Sequence, residues 1–356
     1  MRGRDVTMAV VTIRPATVLL FALFSCAVAA ADESTPPDVA APPDPPAAQS
    51  APTGQIAPAS EAAAPAAAAE EITEIVVQAP EARYVSPTRR DRIGRIWAPV
   101  YINDKGPYRL VLDTGASRSC VTANVARDLG LVPDSSHAIR LQAVTGSATV
   151  ATVRVDSLLI GDLLINGSRL PIIPDALGGA EGILGNEGLR DRRVYIDFRH
   201  DLISITHSHN RPAPPGFMTV PFTLERGRLL TVDAWMGRVR TKAIIDTGGQ
   251  STVGNLALRD ALLRRKSTHE QPSLDHIQGV TEEVQDGEGR SAPAIEFGPI
   301  IINTHRMTFA DMRIFEYWKL TDEPALLIGM DALGLLDTLI IDYRRNELQL
   351  RMRRGF

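Results

Sequence analysis

Two copies of the tripeptide Asp-Thr-Gly supply the acids in this 356-residue sequence that could react as a pair. They begin at Asp113 and Asp246 (246 − 113 = 133 residues apart), and three apolar residues precede each copy. A single copy is explained by a tight turn after a buried strand, with Asp capping the turn and Gly supplying a positive φ. Two carboxyl groups that face each other cannot both be ionised, so one keeps its proton and the other draws a proton from water. Such a pair can direct that water at a carbonyl carbon.

The motifs around the two acids occur in the same order in both halves, which predicts a duplication. Each Asp-Thr-Gly is followed by a Val-Thr pair, beginning at Val144 or Val280, and then by an apolar-apolar-Gly element that ends at Gly185 or Gly329. Each half closes with two apolar runs: Val194–Phe198 with Leu202–Ile205, and Leu339–Tyr343 with Glu347–Leu350. Two similar units in one chain are expected to pack about a pseudo-twofold axis, as equal subunits do in a dimer.

Short apolar runs separated by Gly, Asn, Asp and Pro continue from about residue 92 to the C-terminus, and they predict β structure. Short helices are expected at Ala123–Leu129, Glu187–Arg190, Leu256–Arg265 and Asp331–Leu335. The sequence therefore predicts an all-β fold with a first lobe over residues 92–210 and a second lobe over residues 211–356.

The first thirty residues have the composition of an export signal. Three arginines precede the apolar run 16–30, whose small residues near the end predict cleavage after Ala29. Two alternatives remain open: an uncleaved inner-membrane anchor through residues 16–30, and a lipid on Cys26. Residues 31–91 are rich in Ala and Pro, which predicts a disordered tether between the leader and the folded part.

Composition excludes several classes of function. The formal net charge of −4 argues against nucleic acid or an anionic membrane surface as the main partner. Once Cys26 is assigned to the leader, Cys120 is the single cysteine of the processed chain, so no intramolecular disulfide is expected. The seven histidines show no metal-ligand spacing, and no glycine-rich nucleotide loop occurs. We predict neither a metal nor a cofactor.

On these motifs the sequence resembles the retropepsin-like aspartic proteases, in the fused two-lobe form of bacterial periplasmic aspartyl proteases, over about residues 95–350. The matching residues are Asp113, Thr114, Gly115, Ala116 and Ser117, then Asp246, Thr247, Gly248 and Gly249, and the crossing glycines Gly185 and Gly329. The resemblance implies two retropepsin- or pepsin-like barrels about a pseudo-twofold axis, with Asp113 and Asp246 as the catalytic pair. It also implies that Thr114 and Thr247 hydrogen-bond across the interface.

Proteins of this family close a hairpin flap over their substrate. The candidate in the first half is Leu141–Val150, with Gly146 at the tip and Val144 or Thr145 against the peptide. In the second half the candidate is Ile277–Gly289. Its residues in the corresponding positions are Gly279, Val280 and Thr281, and its acids are Glu282, Glu283, Asp286 and Glu288. The acids suggest either a preference for basic substrate segments or only a solvated face.

Ala116 and Gly249 stand where pepsin-like enzymes carry a hydroxyl residue, so the pair lacks one hydrogen bond and its pKa is expected to be higher. We therefore expect activity at mildly acidic to near-neutral pH. The sequence predicts an exported, periplasmic aspartic endopeptidase that acts on extended peptide segments of envelope proteins. It is expected to be a monomer with an internal pseudo-dimer and to contact the membrane only through its N-terminal segment. The alternative is a catalytically silent peptide-binding or scaffold module of the same fold.

Overall fold

The computed structural model describes residues 95–175, 177–225, 229–265, 271–281, 283–303 and 306–353, and two short strands, β1 (Ala27–Val28) and β2 (Ser86–Pro87). Apart from those two strands, the predicted leader (1–30) and tether (31–91) lie outside the described residues. Among the described residues, no helix is long and apolar enough to cross a bilayer.

The first lobe contains a closed barrel. Its strands are β3 (Trp97–Ile102), β4 (Lys105–Leu112), β5 (Cys120–Thr122), β6 (Asp134–Gln142), β7 (Ser147–Ile160), β8 (Leu163–Ile173) and β9 (Gly182–Leu184). Six of them form a ring in the order β3-β4-β9-β5-β8-β7, which the pairing of β7 with β8 closes. β6 extends the sheet beyond β7, and β1 pairs with β6.

The second lobe has the same order of pairings around its Asp-Thr-Gly strand. Its strands are β13 (Thr223–Glu225), β14 (Leu229–Met236), β15 (Val239–Ile245), β16 (Val253–Gly254), β17 (Ser273–Gln278), β18 (Val284–Arg290), β19 (Ile295–Phe297), β20 (Ile300–Ile302), β21 (Met307–Phe309) and β22 (Ala325–Ile328). β15 lies between β14 and β22, as β4 lies between β3 and β9. In the second lobe two strands together make the pairings that β7 makes alone in the first. β18 pairs with β17 and β21, and β19 pairs with β14 and β20.

Strands from both halves form a third, six-stranded sheet. It consists of β2, β10 (Arg192–Asp197), β11 (Leu202–His207), β12 (Met218–Pro221), β23 (Leu336–Asp342) and β24 (Glu347–Met352). β10 and β23 pair antiparallel at its centre. The buried carboxylate of Asp342 accepts hydrogen bonds from Arg193 (3.1 Å) and from the Ser208 hydroxyl (2.7 Å), both in the first half of the chain. The two predicted strand pairs at the ends of the halves are confirmed.

Four short helices lie among the strands: α1 (Ala123–Asp128), α2 (Leu256–Leu263), α3 (Arg313–Tyr317) and α4 (Met330–Leu333). α2 begins at Leu256 because Asn255 caps it, accepting the Leu258 N–H at 2.8 Å. Three of the predicted helices are confirmed, and α3 was not predicted. The expected helix Glu187–Arg190 is wrong: this segment is a turn in which Gly188 has a φ of 79°, a left-handed conformation that ends helices.

Burial explains why β4 and β15 deliver their acids to the interior. β4 is exposed where it begins, but its last three residues, Leu110–Leu112, are buried, and so are Ala243–Ile245 of β15. Consecutive rather than alternating buried residues mean that both faces of these strand ends are covered. The residue that follows each strand therefore enters the protein core.

Candidate active site

Asp113 and Asp246 follow directly after β4 and β15, and both are fully buried. The parallel neighbours of the two strands hold the acids in place. The Asp113 N–H donates to the Leu184 carbonyl of β9, and the Asp246 N–H donates to the Ile328 carbonyl of β22, each at 3.0 Å. The two acids thus occupy equivalent positions in the two lobes.

Each carboxyl group is oriented by the backbone of its own loop. Asp113 Oδ1 accepts the N–H groups of Gly115 (2.8 Å) and Ala116 (2.9 Å). Asp246 Oδ1 accepts those of Gly248 (2.9 Å) and Gly249 (3.0 Å). Ala116 is itself fully buried, and Ser117, the next residue of the first loop, is half-buried. With Oδ1 bound in this way, each acid keeps its second oxygen for chemistry.

The two threonines bind the opposite loops in a reciprocal arrangement. Each hydroxyl accepts the backbone N–H of the other threonine at 3.1 Å. Each hydroxyl also donates, at 2.7 Å, to the carbonyl of the residue just before the opposite aspartate: Thr114 to Ile245 and Thr247 to Leu112. All four hydrogen bonds are buried, so neither loop is complete without the other lobe.

The two carboxyl groups interact, because the Asp113 side chain is one of the groups that lower the pKa of Asp246. Two carboxyl groups can hydrogen-bond to each other only when one of them is protonated. Burial raises the pKa of Asp246 from 3.8 to about 7, against the opposing effects of the Gly248 and Gly249 amides, Asp113 and the Arg95 charge. The Arg95 guanidinium is itself buried and donates to the Leu177 carbonyl at 2.8 Å. The pair can therefore hold one proton up to near-neutral pH.

Gly185 and Gly329 lie where the chain crosses behind each acid loop. A Cβ at Gly185 would lie 2.5 Å from the backbone carbon of Arg118, and one at Gly329 would lie 2.7 Å from that of Ser251. Because neither neighbour is a flexible side-chain end, only glycine fits at these two positions. The predicted close crossing is present in both lobes.

A second pair of acids, which the sequence reading missed, supports these crossings. In the first lobe Glu187 accepts the Ser119 N–H at 2.6 Å, and the Ser119 hydroxyl accepts the Gly185 N–H at 3.0 Å. In the second lobe Asp331 accepts both the N–H and the hydroxyl of Thr252, which accepts the Gly329 N–H. Burial raises the pKa of Asp331.

Both predicted flaps are hairpins. β6 and β7 turn through residues 143–146, with Gly146 at the end of the turn, and β17 and β18 pair antiparallel on either side of a loop whose described residues are 279–281 and 283. The flap tips touch: the Thr145 hydroxyl accepts the Gly279 N–H at 3.0 Å, and a Cβ on Gly146 would overlap the Glu283 carboxylate. Thr281 follows in the second turn and is half-buried.

The tip valines are exchanged between the lobes. Val144 of the first flap belongs to a buried apolar cluster whose other members, such as Ile244 and Met312, come from the second lobe. Val280 of the second flap belongs to a cluster whose other members, such as Val111 and Ala116, come from the first lobe. Both valines are fully buried, so the expected contact of Val144 with peptide requires the flaps to part.

The acids of the second flap are mostly engaged with basic groups. Glu288 binds Arg259 (3.0 Å) and Arg290 (2.8 Å), and Asp286 hydrogen-bonds His276 (2.7 Å). Glu283 lies at the flap contact, and Glu282 lies outside the described residues. Glu283 is therefore the acid nearest to the other flap among those described. The described residues also contain no cluster of His, Cys, Asp and Glu suited to a metal ion.

Comparison with protein families matches residues 98–187 to an aspartyl protease family. The matched segment contains the first Asp-Thr-Gly, the first flap and Gly185, whereas Asp246 lies beyond it. No match was found among the curated proteins. Residues 98–187 thus resemble an aspartyl protease domain, which agrees with the loop geometry at Asp113.

Proposed function

We propose that this chain is an aspartic endopeptidase in which Asp113 and Asp246 together activate water. The observation that carries the proposal is the pair of buried, interacting carboxyl groups, each oriented by two backbone amides. Burying a carboxyl group costs free energy unless the group is fully hydrogen-bonded. Two such groups buried together therefore lower the stability of the fold, and a structural role alone does not explain them.

In the proposed reaction the ionised carboxylate takes a proton from water as the water oxygen attacks the peptide carbonyl carbon. The protonated carboxyl group donates its proton to the carbonyl oxygen, which gives a neutral tetrahedral diol. The carboxyl group that took the proton from water then gives it to the amide nitrogen, and the C–N bond breaks. One diol hydroxyl returns its proton to the pair. The products are a carboxylic acid and an amine, and the pair again holds one proton.

The lobe arrangement favours an extended peptide as substrate. The tips of the two flaps meet, and Val280 at the second tip packs in the cluster that contains Ala116 of the first acid loop. Hairpins of this kind can pair with a strand-like chain by backbone hydrogen bonds. The same order of pairings around β4 and β15 supports descent of both lobes from one duplicated unit, as in fused two-lobe aspartyl proteases. The leader supports export to the periplasm, where exposed segments of envelope proteins would be available.

The direct test is cleavage of an unbiased peptide mixture by the full chain between pH 4 and pH 8, with Asp113→Asn and Asp246→Asn as matched variants. We expect cuts from the wild type, none from either variant, and a fall in kcat/KM as pH rises past about 7, because the pair then loses its proton. A folded wild type that cuts nothing at any pH, or an optimum below about pH 3, would contradict the proposal.

A silent peptide-binding module is the competing function, and binding separates it from the protease. A statine-type inhibitor carries a hydroxyl group that mimics the diol and should raise the melting temperature of the wild type. With Asp246→Asn this increase should be largely lost, whereas a plain peptide should bind both proteins alike. Equal stabilisation of both proteins by the inhibitor, together with absent cleavage, would favour the binding module.

A further inference from the structure

The second lobe has a cavity of about 470 Å³ that is lined by four arginines. Arg238 and Arg240 come from the turn into β15 and from β15 itself, and Arg264 and Arg265 come from the chain just after α2. Val239, Ala261 and Pro324 supply an apolar part of the lining. The lining of the cavity thus consists of four basic side chains and three apolar residues.

The described neighbours of these arginines do not neutralise them. Arg240 has a salt bridge to Asp233 at 3.1 Å, but both side chains are mostly exposed, and such pairs contribute little. Within the described residues, Arg238, Arg264 and Arg265 make no salt bridge to a carboxylate.

The acids nearest in sequence to the cavity are already paired. Glu323, next to Pro324 of the lining, binds Lys242 at 3.1 Å, and Asp260 of α2 binds Arg259 at 2.8 Å. The four positive charges therefore converge on one concavity and raise the local concentration of anions there.

Helix geometry explains only half of this cluster. Cations are favourable near the C-terminal end of a helix, and that accounts for Arg264 and Arg265 after α2. Arg238 and Arg240 belong to the turn before β15 and to β15 itself, where the helix end gives no such reason for a basic residue. The meeting of four exposed arginines from two separate segments is the observation that points to an anionic ligand.

We propose that this arginine pocket, formed by Arg238, Arg240, Arg264 and Arg265, binds a ligand with two or more phosphate groups. The planar guanidinium fork matches phosphate oxygens two at a time, and several forks around one site suit a compact ligand of high charge. The volume lies within the usual range for small-molecule sites. An acidic peptide spreads its charge along an extended chain, whereas a polyphosphate brings several negative charges to the one place where the four arginines meet.

The pocket is separate from the proposed active site. Arg240 precedes Asp246 by six residues along β15, which corresponds to about 20 Å at roughly 3.3 Å per residue. A ligand in the pocket would therefore not contact the acid pair, and its binding can be tested without reference to peptide cleavage.

The test is calorimetric titration of the full chain with tripolyphosphate, with orthophosphate as the weaker comparison ligand. We expect saturable binding that Arg238→Gln, or Arg264→Gln with Arg265→Gln, weakens by about tenfold or more. Arg238→Lys should give an intermediate loss, since it keeps the charge and removes the fork. The control is the exposed pair Arg154→Gln with Arg211→Gln, which changes the net charge by as much as Arg264→Gln with Arg265→Gln and should leave binding intact.

Vesicles with and without a phosphorylated anionic lipid identify the source of the phosphate. Vesicle binding that tripolyphosphate displaces would indicate a lipid headgroup, and tripolyphosphate binding without vesicle binding would indicate a soluble ligand. Either result supports the pocket. Absence of saturable tripolyphosphate binding, equal losses in the control pair, or tighter binding of poly-glutamate than of tripolyphosphate would overturn the proposal.

Discussion

Replacing Asp246 by Asn should change how the stability of the protein depends on pH. In the folded chain the pKa of Asp246 is raised from 3.8 to about 7 by burial. Asn has nearly the same shape, and its carbonyl oxygen can still accept the Gly248 and Gly249 amides that Asp246 Oδ1 accepts. The substitution therefore removes the titration while keeping the loop hydrogen bonds.

The sign follows from proton binding. Between pH 3.8 and about 7 the folded carboxyl group keeps its proton and the unfolded one loses it, so the folded state binds more protons and the free energy of unfolding falls as pH rises. The contribution of the raised pKa is fully present below pH 3.8 and is lost as pH rises through about 7. At about 1.4 kcal/mol per pKa unit, the whole span corresponds to about 4 kcal/mol.

Denaturant unfolding at several pH values between 4 and 8 measures this effect, provided that the m-values agree. The free energy of unfolding of Asp246→Asn, minus that of the wild type, should grow by up to about 4 kcal/mol across this range. The exposed Asp156→Asn is the matched control and should run parallel to the wild type. If the free energy of unfolding of Asp246→Asn depends on pH in the same way as that of the wild type, then the pKa of Asp246 is not raised and the two acids do not share a proton.

Three further substitutions test the loops and flaps. Thr247→Val removes the hydroxyl that accepts the Thr114 N–H and donates to the Leu112 carbonyl. It should lower the free energy of unfolding in denaturant by about 2–4 kcal/mol, and Thr247→Ser should restore most of this loss. Val280→Ala should lower the free energy of unfolding by about 1–3 kcal/mol and speed hydrogen exchange in both flaps, because it leaves a cavity in the opposite lobe. Unchanged exchange in the first flap would contradict the exchange of tip valines between the lobes. Gly329→Ala should cost about 1–3 kcal/mol or more by overpacking, and wild-type stability would contradict the close crossing.

The acid pair could be predicted from sequence because its signal is a repeated short motif. Three apolar residues before each Asp-Thr-Gly correctly indicated strand ends that are buried on both faces, at Leu112 and Ile245. The elements that end at Gly185 and Gly329 follow from their order after each motif, and the resemblance to the family implies that they cross behind the acid loops. The repeated order of the motifs, rather than the composition, identifies these residues.

A signal for the second acid pair was present and was overlooked. Ser119 and Thr252 each lie six residues after an aspartate, and Glu187 and Asp331 each lie two residues after a crossing glycine. The local pattern predicts a short helix at Glu187, because it does not reveal that the Glu187 carboxylate binds the Ser119 N–H. A side-chain acceptor from a distant segment is a tertiary effect that local propensity does not report.

The exchange of flap tips could not be predicted, for a related reason. Val144 and Val280 appear in the sequence as ordinary apolar residues beside a turn, and nothing local distinguishes a valine that faces peptide from one that enters the other lobe. The division of the long β7 into two strands in the second lobe is likewise a property of the pairing partners. Such features follow from how the lobes meet.

The sheet that joins the lobes has a consequence for the order of synthesis. β10 receives its partner β23 only after a long further stretch of chain has been made, since Arg193 and Asp342 are 149 residues apart. At about 5–20 residues per second, the first lobe waits for about 7–30 s with one edge of β10 unpaired. A nascent chain that is held unfolded until β23 has emerged avoids this exposed edge of β10.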